Sequence, residues 1–315
     1  MSSKITIIGA GSVGSTIAYT LAHDEIASEI VLIDINKEKV EGEVMDIEQG
    51  TCFRSPVSLV AGDYADAKDS DIVIITSGIA RKPGQTRIEL TQTNVNILKS
   101  ITPQIVKEAP DAKYIIVSNP VDIMTYVFTK ISGLPENQIM GSGTILDTAR
   151  LRYGLSEHFK VAQGNIHAYV FGEHGDTSFI PWTGAYISGL STDEYYEEMK
   201  AHGKDVKPLD KEAMLEYVQK SGGKVIAKKG ATFYAVSATV CQLVGLILAA
   251  SDSLATVSSM LHGEYGIEDV CLSTLTLVGP NGIQGKLPMR MKKEEIEKLK
   301  ASADTLKSVI AQIKW

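Results

Sequence analysis

Short blocks of Ile, Val, Leu and Tyr alternate with longer segments of helical apolar spacing through roughly the first 140 positions. The blocks predict strands at 5–8, 30–33, 57–60, 72–76, 114–118 and 138–141. The spaced segments predict helices at 13–23, 37–50 and 94–109, with Pro110 ending the last. Apolar strands separated by helices are what a parallel sheet covered on both faces requires. Six such strands suit two mononucleotide halves. Right-handed crossovers bring their carboxyl ends to one edge, where an open α/β sheet takes its ligand.

Past about Ser142 the pattern changes to longer helices and hairpins. Lys229-Gly230 punctuates two helices, one ending near Lys228 and one running from Thr232 to about Met260. Segments 271–278 and 286–291 flank Pro280-Asn281-Gly282, and Asn-Gly takes the positive φ of a tight hairpin at low cost. Residues 293–314 read as an amphipathic terminal helix. The expected fold class is α/β, a doubly wound parallel sheet over 1–142 followed by an α+β substrate domain over 143–315.

Composition narrows the partners. Hydrophobic residues at 44% and charged residues at 22% are ordinary for a globular enzyme. A net charge of −7 is the opposite of what a phosphate-backbone binder accumulates, so nucleic acid is not expected. The longest apolar run, near 240–250, is interrupted by Gln242 and falls short of the ~20 residues of a membrane span. Met1 to Lys4 leads straight into strand-like Ile5 to Ile8 without a leader pattern, which places the protein in the cytoplasm. Cys52, Cys241 and Cys271 are widely spaced and read as reduced buried thiols; no His, Cys and carboxylate cluster has metal-ligand spacing.

Gly9-Ala10-Gly11-Ser12-Val13-Gly14 follows a strand and opens a helix, so its backbone can approach a pyrophosphate at the positive helix end. Asp34 stands about 20 residues later at the end of the second strand, where a carboxylate accepts from ribose hydroxyls and repels a 2′-phosphate. The pair points to a Rossmann-type site for NAD rather than NADP, against the simpler reading of a glycine turn and a helix-capping aspartate.

Asn119, Asp147 with Arg150, His174, and the loop arginines Arg81 and Arg87 stand out as polar groups beside breakers or in segments otherwise bound for the core. Asp147 and Arg150 lie three apart on one helical face, a spacing that by itself favours a local ion pair. Together with Gly9 to Gly14, the runs Lys82-Pro83-Gly84 with Thr86-Arg87, Ser118-Asn119-Pro120-Val121-Asp122, Leu146-Asp147-Thr148-Ala149-Arg150 and Gly172-Glu173-His174-Gly175-Asp176 resemble the L-lactate and L-malate dehydrogenases, in order, over essentially the whole chain.

That resemblance implies His174 as general acid/base oriented by Asp147, Arg150 on the substrate carboxylate, and Arg87 polarising the keto oxygen. Asn119 would bond the same oxygen region and, with Asn94, the cofactor; Thr232 would line the substrate pocket. Segment 78–93 resembles the family's mobile lid. Arg152 and His167 match basic positions that bind fructose 1,6-bisphosphate in bacterial lactate dehydrogenases, and a homotetramer is implied. The partner is a small 2-hydroxy or 2-keto acid. A non-catalytic NAD sensor would have no need of Arg87, Asp147, Arg150 and His174 together. An NAD-dependent glycosidase would require a Cys/His metal site absent from the sequence.

Choosing between the two substrates sets loop against frame. Arg81 occupies the place where malate enzymes carry arginine and lactate enzymes glutamine, and Gln85 removes an anion usual in lactate enzymes. Glu173 and Thr232 are lactate-like. A guanidinium facing a methyl group in a closed pocket would be a desolvated cation without a partner. Weighting Arg81 most, the expected reaction is malate–oxaloacetate interconversion, with lactate–pyruvate as the alternative.

Overall fold

The computed structural model describes residues 3–79, 84 and 86–314. Its centre is one sheet of eight strands. β1 (Lys4–Ile8), β2 (Glu29–Ile33), β3 (Ser58–Ala61), β4 (Ile72–Ile75), β5 (Lys113–Ile116) and β6 (Ile139–Gly141) run parallel in the order β3-β2-β1-β4-β5-β6. The helices between them are α1 (Ser12–His23), α2 (Lys37–Gly50), α3 (Arg87–Glu108) and α4 (Val121–Ser132). Consecutive strand residues serve opposite faces: Ile30, Leu32, Ile72 and Ile74 pack on one side, Val31, Ile33, Val73 and Ile75 on the other. This double burial is why the strands read as unbroken apolar runs.

The second half begins with α5 (Ile145–Phe159) and continues through β7 (Ile166–His167), β8 (Tyr186–Ile187), β9 (Leu190–Ser191), α6 (Thr192–Ala201), α7 (Lys211–Lys229) and α8 (Tyr234–Leu248). Four further strands follow: β10 (Ser253–Ala255), β11 (Ser258–His262), β12 (Glu268–Ser273) and β13 (Thr276–Gly279). The hairpin partner β14 (Gly282–Lys286) and α9 (Lys293–Ile310) complete it. Leu151, Leu155, Phe159, Ile166, Ile187 and Val218 form its own core. α8 lies along α1, where Ser237 Oγ donates to Val13 O (3.3 Å).

Four expectations change. The hairpin at Asn281-Gly282 is formed by β13 and β14 rather than by 271–278 and 286–291, of which 274–275 and 287–291 lie outside strands. The helix projected from Thr232 to Met260 stops at Leu248, and β10 and β11 take up its second part. Ser251-Asp252 breaks the helix, and the following Thr256, Val257 and Ser258 are buried as strand and loop; a buried strand and a buried helix share the same apolarity. β11 and β12 then extend the parallel sheet antiparallel to β6, with Ser258 opposite Gly141. α3 starts at Arg87 rather than Asn94, so residues 87–93 of the expected lid are helix. The signal was in the sequence: Thr86 Oγ1 accepts from Glu89 N (3.2 Å) while Glu89 Oε2 accepts from Thr86 N (2.8 Å), a reciprocal cap. Cys52, expected to be buried, is exposed; Cys241 and Cys271 are buried. Among the described residues no helix is long and apolar enough to cross a membrane.

Candidate active site

The carboxyl ends of β1, β2, β4 and β5 open onto a continuous cleft. Its outer part, a cavity of about 610 Å³, is lined by Gly9, Gly11, Asp34, Tyr64 and Thr76 among others. Gly9 has φ +114°, and a Cβ there would lie 2.6 Å from Thr76 Oγ1; a Cβ on Gly14 would collide with the carbonyl oxygen of Gly9. Both glycines are thus required for β1 to turn tightly into α1 and for the helix to approach the strand closely. No side chain caps α1, and Gly11 and Val13 at its positive N-terminal end line the cleft. Asp34 Oδ2 accepts from Ala10 N (2.7 Å) and Oδ1 from Asn36 N (3.1 Å), which fastens its carboxylate at the cleft rim. The cradle fits a dinucleotide.

A middle cavity of about 260 Å³ shares Thr76, Gly78 and Ile79 with the outer one and is closed by Val13, Asn94 and Asn119. Asn94 is buried and bonded throughout: Oδ1 accepts from Ile79 N (2.9 Å), and Nδ2 donates to Ile79 O (3.3 Å) and Asn119 O (2.8 Å). It ties the loop after β4 to the loop after β5. The Asn119–Pro120 peptide is cis.

Val13, Val117 and Asn119 lead on into a third cavity of about 290 Å³, walled by Asp147, Arg150, His174 and Thr232. Asp147 Oδ2 accepts from His174 Nδ1 (2.6 Å) and Oδ1 from Arg150 Nη1 (2.8 Å). An acceptor at Nδ1 assigns the ring proton there and leaves Nε2 for the cavity. The neighbouring Asp147 charge outweighs burial and raises the His174 pKa. Burial acts to raise Asp147, but the charges and hydrogen bonds of His174 and Arg150 prevail and hold it below the usual carboxylate range. The side chain of His174 is 30% exposed, enough to meet a small molecule.

The sequence-derived residues do not all meet here. Arg87, at the first turn of α3, is not among the wall residues of the third cavity; its guanidinium lies 3.9 Å from Glu173 Oε2 and 3.8 Å from Asp176 Oδ2. Arg152 donates from Nε to Ala168 O (3.2 Å) and stacks over Tyr169, next to the exposed His167, away from all three cavities. Arg81 and Gln85 lie outside the described residues. Among the described residues no group of three or more His, Cys, Asp or Glu could hold a metal.

Other wall residues escaped the sequence reading. Gly222 sits in α7 where a Cβ would come within 3.3 Å of Arg150 Nη2, so the glycine leaves room for the guanidinium. Its cue was a Gly222-Gly223 pair inside a helix, where each glycine costs roughly 0.5–1 kcal/mol against alanine. Gln219 Nε2 donates to Ser178 O (2.9 Å) and Asp176 O (3.1 Å), bracing the His174 loop; nothing local in the sequence marks it.

Residues 3–141 match the lactate/malate dehydrogenase NAD binding domain, and residues 144–314 the lactate/malate dehydrogenase alpha/beta C-terminal domain. The chain belongs to the lactate/malate dehydrogenase family. It is 48% identical to the L-lactate dehydrogenase of Acetivibrio thermocellus, over 98% of this chain and 96% of that one. L-lactate dehydrogenase 1 of Clostridium acetobutylicum is 47% identical, covering 98% of each. Among solved structures, the minor L-lactate dehydrogenase of Enterococcus mundtii superposes with a TM-score of 0.94 at 34% identity over 99% of both chains. L-lactate dehydrogenase from Clostridium thermocellum gives 0.88 at 38% identity, over 99% of this chain and 100% of that chain.

As a member of this family, the chain is an NAD-dependent dehydrogenase of a small hydroxy or keto acid. The full-length relatives overturn the expectation of malate specificity, which rested on Arg81. The physical reason is one of weight. A single loop arginine acts on substrate only if it is desolvated against it, whereas lactate-like Glu173 is buried in the frame and Thr232 forms part of the cavity wall.

Proposed function

We propose that this chain interconverts pyruvate and L-lactate with NADH and NAD. The observation that carries the reading is the meeting of His174, Asp147 and Arg150 on one wall of a cavity that joins the dinucleotide cleft. Full-length similarity to proteins named L-lactate dehydrogenase supports the choice of substrate.

Bound nicotinamide supplies or accepts the hydride. His174 Nε2 donates a proton to the substrate oxygen in reduction and takes it back in oxidation; Asp147 holds the ring and favours its protonated form. Arg150 grips the C1 carboxylate with the guanidinium N–H groups not used by Asp147, fixing the orientation of C2. Arg87 polarises the carbonyl when its guanidinium turns from Glu173 and Asp176 toward the cavity. Asn119 bonds the same oxygen region, and Thr232 bounds the methyl end. Gly9, Gly11, Gly14 and Asp34 seat the dinucleotide, to which Asn94 contributes through the loops it ties. The assembly we propose is a cytoplasmic homotetramer, with Arg152 and His167 as the basic pair for a sugar bisphosphate effector.

NADH oxidation followed at 340 nm is expected to be faster with pyruvate than with oxaloacetate; a preference for oxaloacetate would end the lactate reading, and silence with every keto acid would favour a sensor. The pH dependence has a definite sign. Because the His174 pKa is raised, the proton needed for reduction is retained to higher pH, and kcat/KM for pyruvate stays level before falling as pH rises through that pKa. Lactate oxidation, which needs the neutral ring, follows the opposite course.

Asp34→Ser removes the charge that would repel a 2′-phosphate. The ratio of kcat/KM for NADH over NADPH is expected to fall by at least ~10-fold, about 1.4 kcal/mol. An unchanged ratio would show that Asp34 does not meet the ribose.

A further inference from the structure

A second carboxylate stands behind the His174–Asp147 pair. Asp122, in the first turn of α4, is only 3% exposed. Its Oδ2 accepts from the backbone N–H of His174 (2.7 Å) and its Oδ1 from the hydroxyl of Ser258 on β11 (2.6 Å). Three chain segments are thereby joined at one carboxyl group: the turn after β5, the loop carrying His174, and the strand by which the second half joins the sheet. The titratable groups facing it are His174 and Glu173 from the His174 loop and the Cys271 thiol from β12, whose pKa burial raises; Asp147 and Arg150 reach His174 from α5. Neither Asp122 nor Ser258 lines the substrate cavity, so a contact with substrate does not explain them.

We propose that Asp122 is a positioning residue for the acid/base: it fixes His174 through the peptide nitrogen while Asp147 fixes the ring, and its negative charge helps hold the proton on the imidazole. The inference rests on His174 being the acid/base. Physically, one hydrogen bond at Nδ1 leaves the ring free to pivot with its backbone, whereas a second anchor on the same residue's main chain removes that freedom. The charge works in the same direction as that of Asp147, raising the proton affinity of His174. Burial pushes Asp122 itself up to about 6, while the bonds from Ser258 and the His174 N–H and the nearby imidazole favour its charged form.

Two substitutions separate the roles. Asp122→Asn can still accept from His174 N and donate to Ser258 Oγ, so it deletes the charge and keeps the anchor. The fall of kcat/KM for pyruvate with rising pH is expected to move to lower pH, with the KM for NADH within about twofold of the parent. Asp122→Ala deletes the anchor, and kcat is expected to drop roughly ten- to a hundredfold, the scale of a small misplacement of a catalytic group. A folded Asp122→Asn with the parent's pH profile, or a folded Asp122→Ala with the parent's kcat, overturns the proposal. Should both variants fail to fold, Ser258→Ala removes the hydrogen bond that orients the Asp122 carboxylate and favours its charged form, so a smaller move of the same fall to lower pH is expected; parental kcat and pH profile in that variant likewise overturn it. His174→Asn tests the underlying reading by itself: turnover retained there removes the acid/base assignment, while turnover lost there with an unshifted Asp122→Asn profile removes this inference alone.

Discussion

His174→Asn is expected to lower kcat for pyruvate by about 10³-fold, within the range attributed to a positioned general acid. Asparagine approximates the Nδ1 side of the imidazole and can still donate to Asp147, so the buried carboxylate keeps a partner and the fold should survive. The Nε2 side, which faces the cavity, has no equivalent in the shorter amide. The dinucleotide cradle lies on β1 and β2 and does not include His174, so NADH affinity, measured by the change in its fluorescence, should stay within a few-fold of the parent. Retention of more than a tenth of the parental kcat would remove His174 from the chemistry.

Arg150→Gln is expected to act chiefly through substrate. The guanidinium is nearly enclosed, with Asp147 on one side and the Gly222 backbone on the other, so a substrate carboxylate meets it away from bulk water. Truncating one member of such a pair costs ~2–5 kcal/mol, and each ~1.4 kcal/mol is tenfold, so kcat/KM for pyruvate should fall by roughly 10² or more. Lysine at the position should restore only part of the loss, because a point charge cannot make the two parallel bonds of a guanidinium. Steady-state kinetics over a wide pyruvate range decides the matter. If Arg150→Gln kept the parental KM and kcat, the arginine would be a structural partner of Asp147 and no more.

The parts of the molecule legible from the sequence were those in which a local pattern carries a local cause. The six parallel strands announced themselves because both faces are buried, and the glycine turn with Asp34 because backbone approach excludes side chains. The His174, Asp147 and Arg150 cluster was found through motif order, and the structure brings these three together within hydrogen-bond reach. What stayed hidden depended on distant chain. Ser258 and Gly141 pair on neighbouring strands of a sheet whose last two strands come from beyond residue 250, and local apolarity does not distinguish such a buried strand from a continuation of α8. Asp122 stood within a recognised motif, yet its task needs the His174 backbone and Ser258, both remote in sequence. Substrate choice is illegible for another reason: Arg81 is conspicuous in its loop, whereas the lactate-like character sits in the frame around the pocket, in buried Glu173 and wall residue Thr232.

The junction of β6 with β11 bears on how this enzyme can be re-engineered. A chain cut after the first half would leave β6 with an open edge, stripped of its antiparallel neighbour, and such edges invite association with other chains. A chimaera that exchanged the cofactor half for that of another dehydrogenase would have to preserve the seam as well. A Cβ on Gly141 would sit 3.0 Å from that of Ser258, and Ser258 in turn reaches Asp122 beneath the His174 loop. Transplanting a whole module therefore risks dislocating the His174 loop through the sheet. Altering cofactor preference by single substitutions at the end of β2, far from that seam, leaves the shared strand pairing in place.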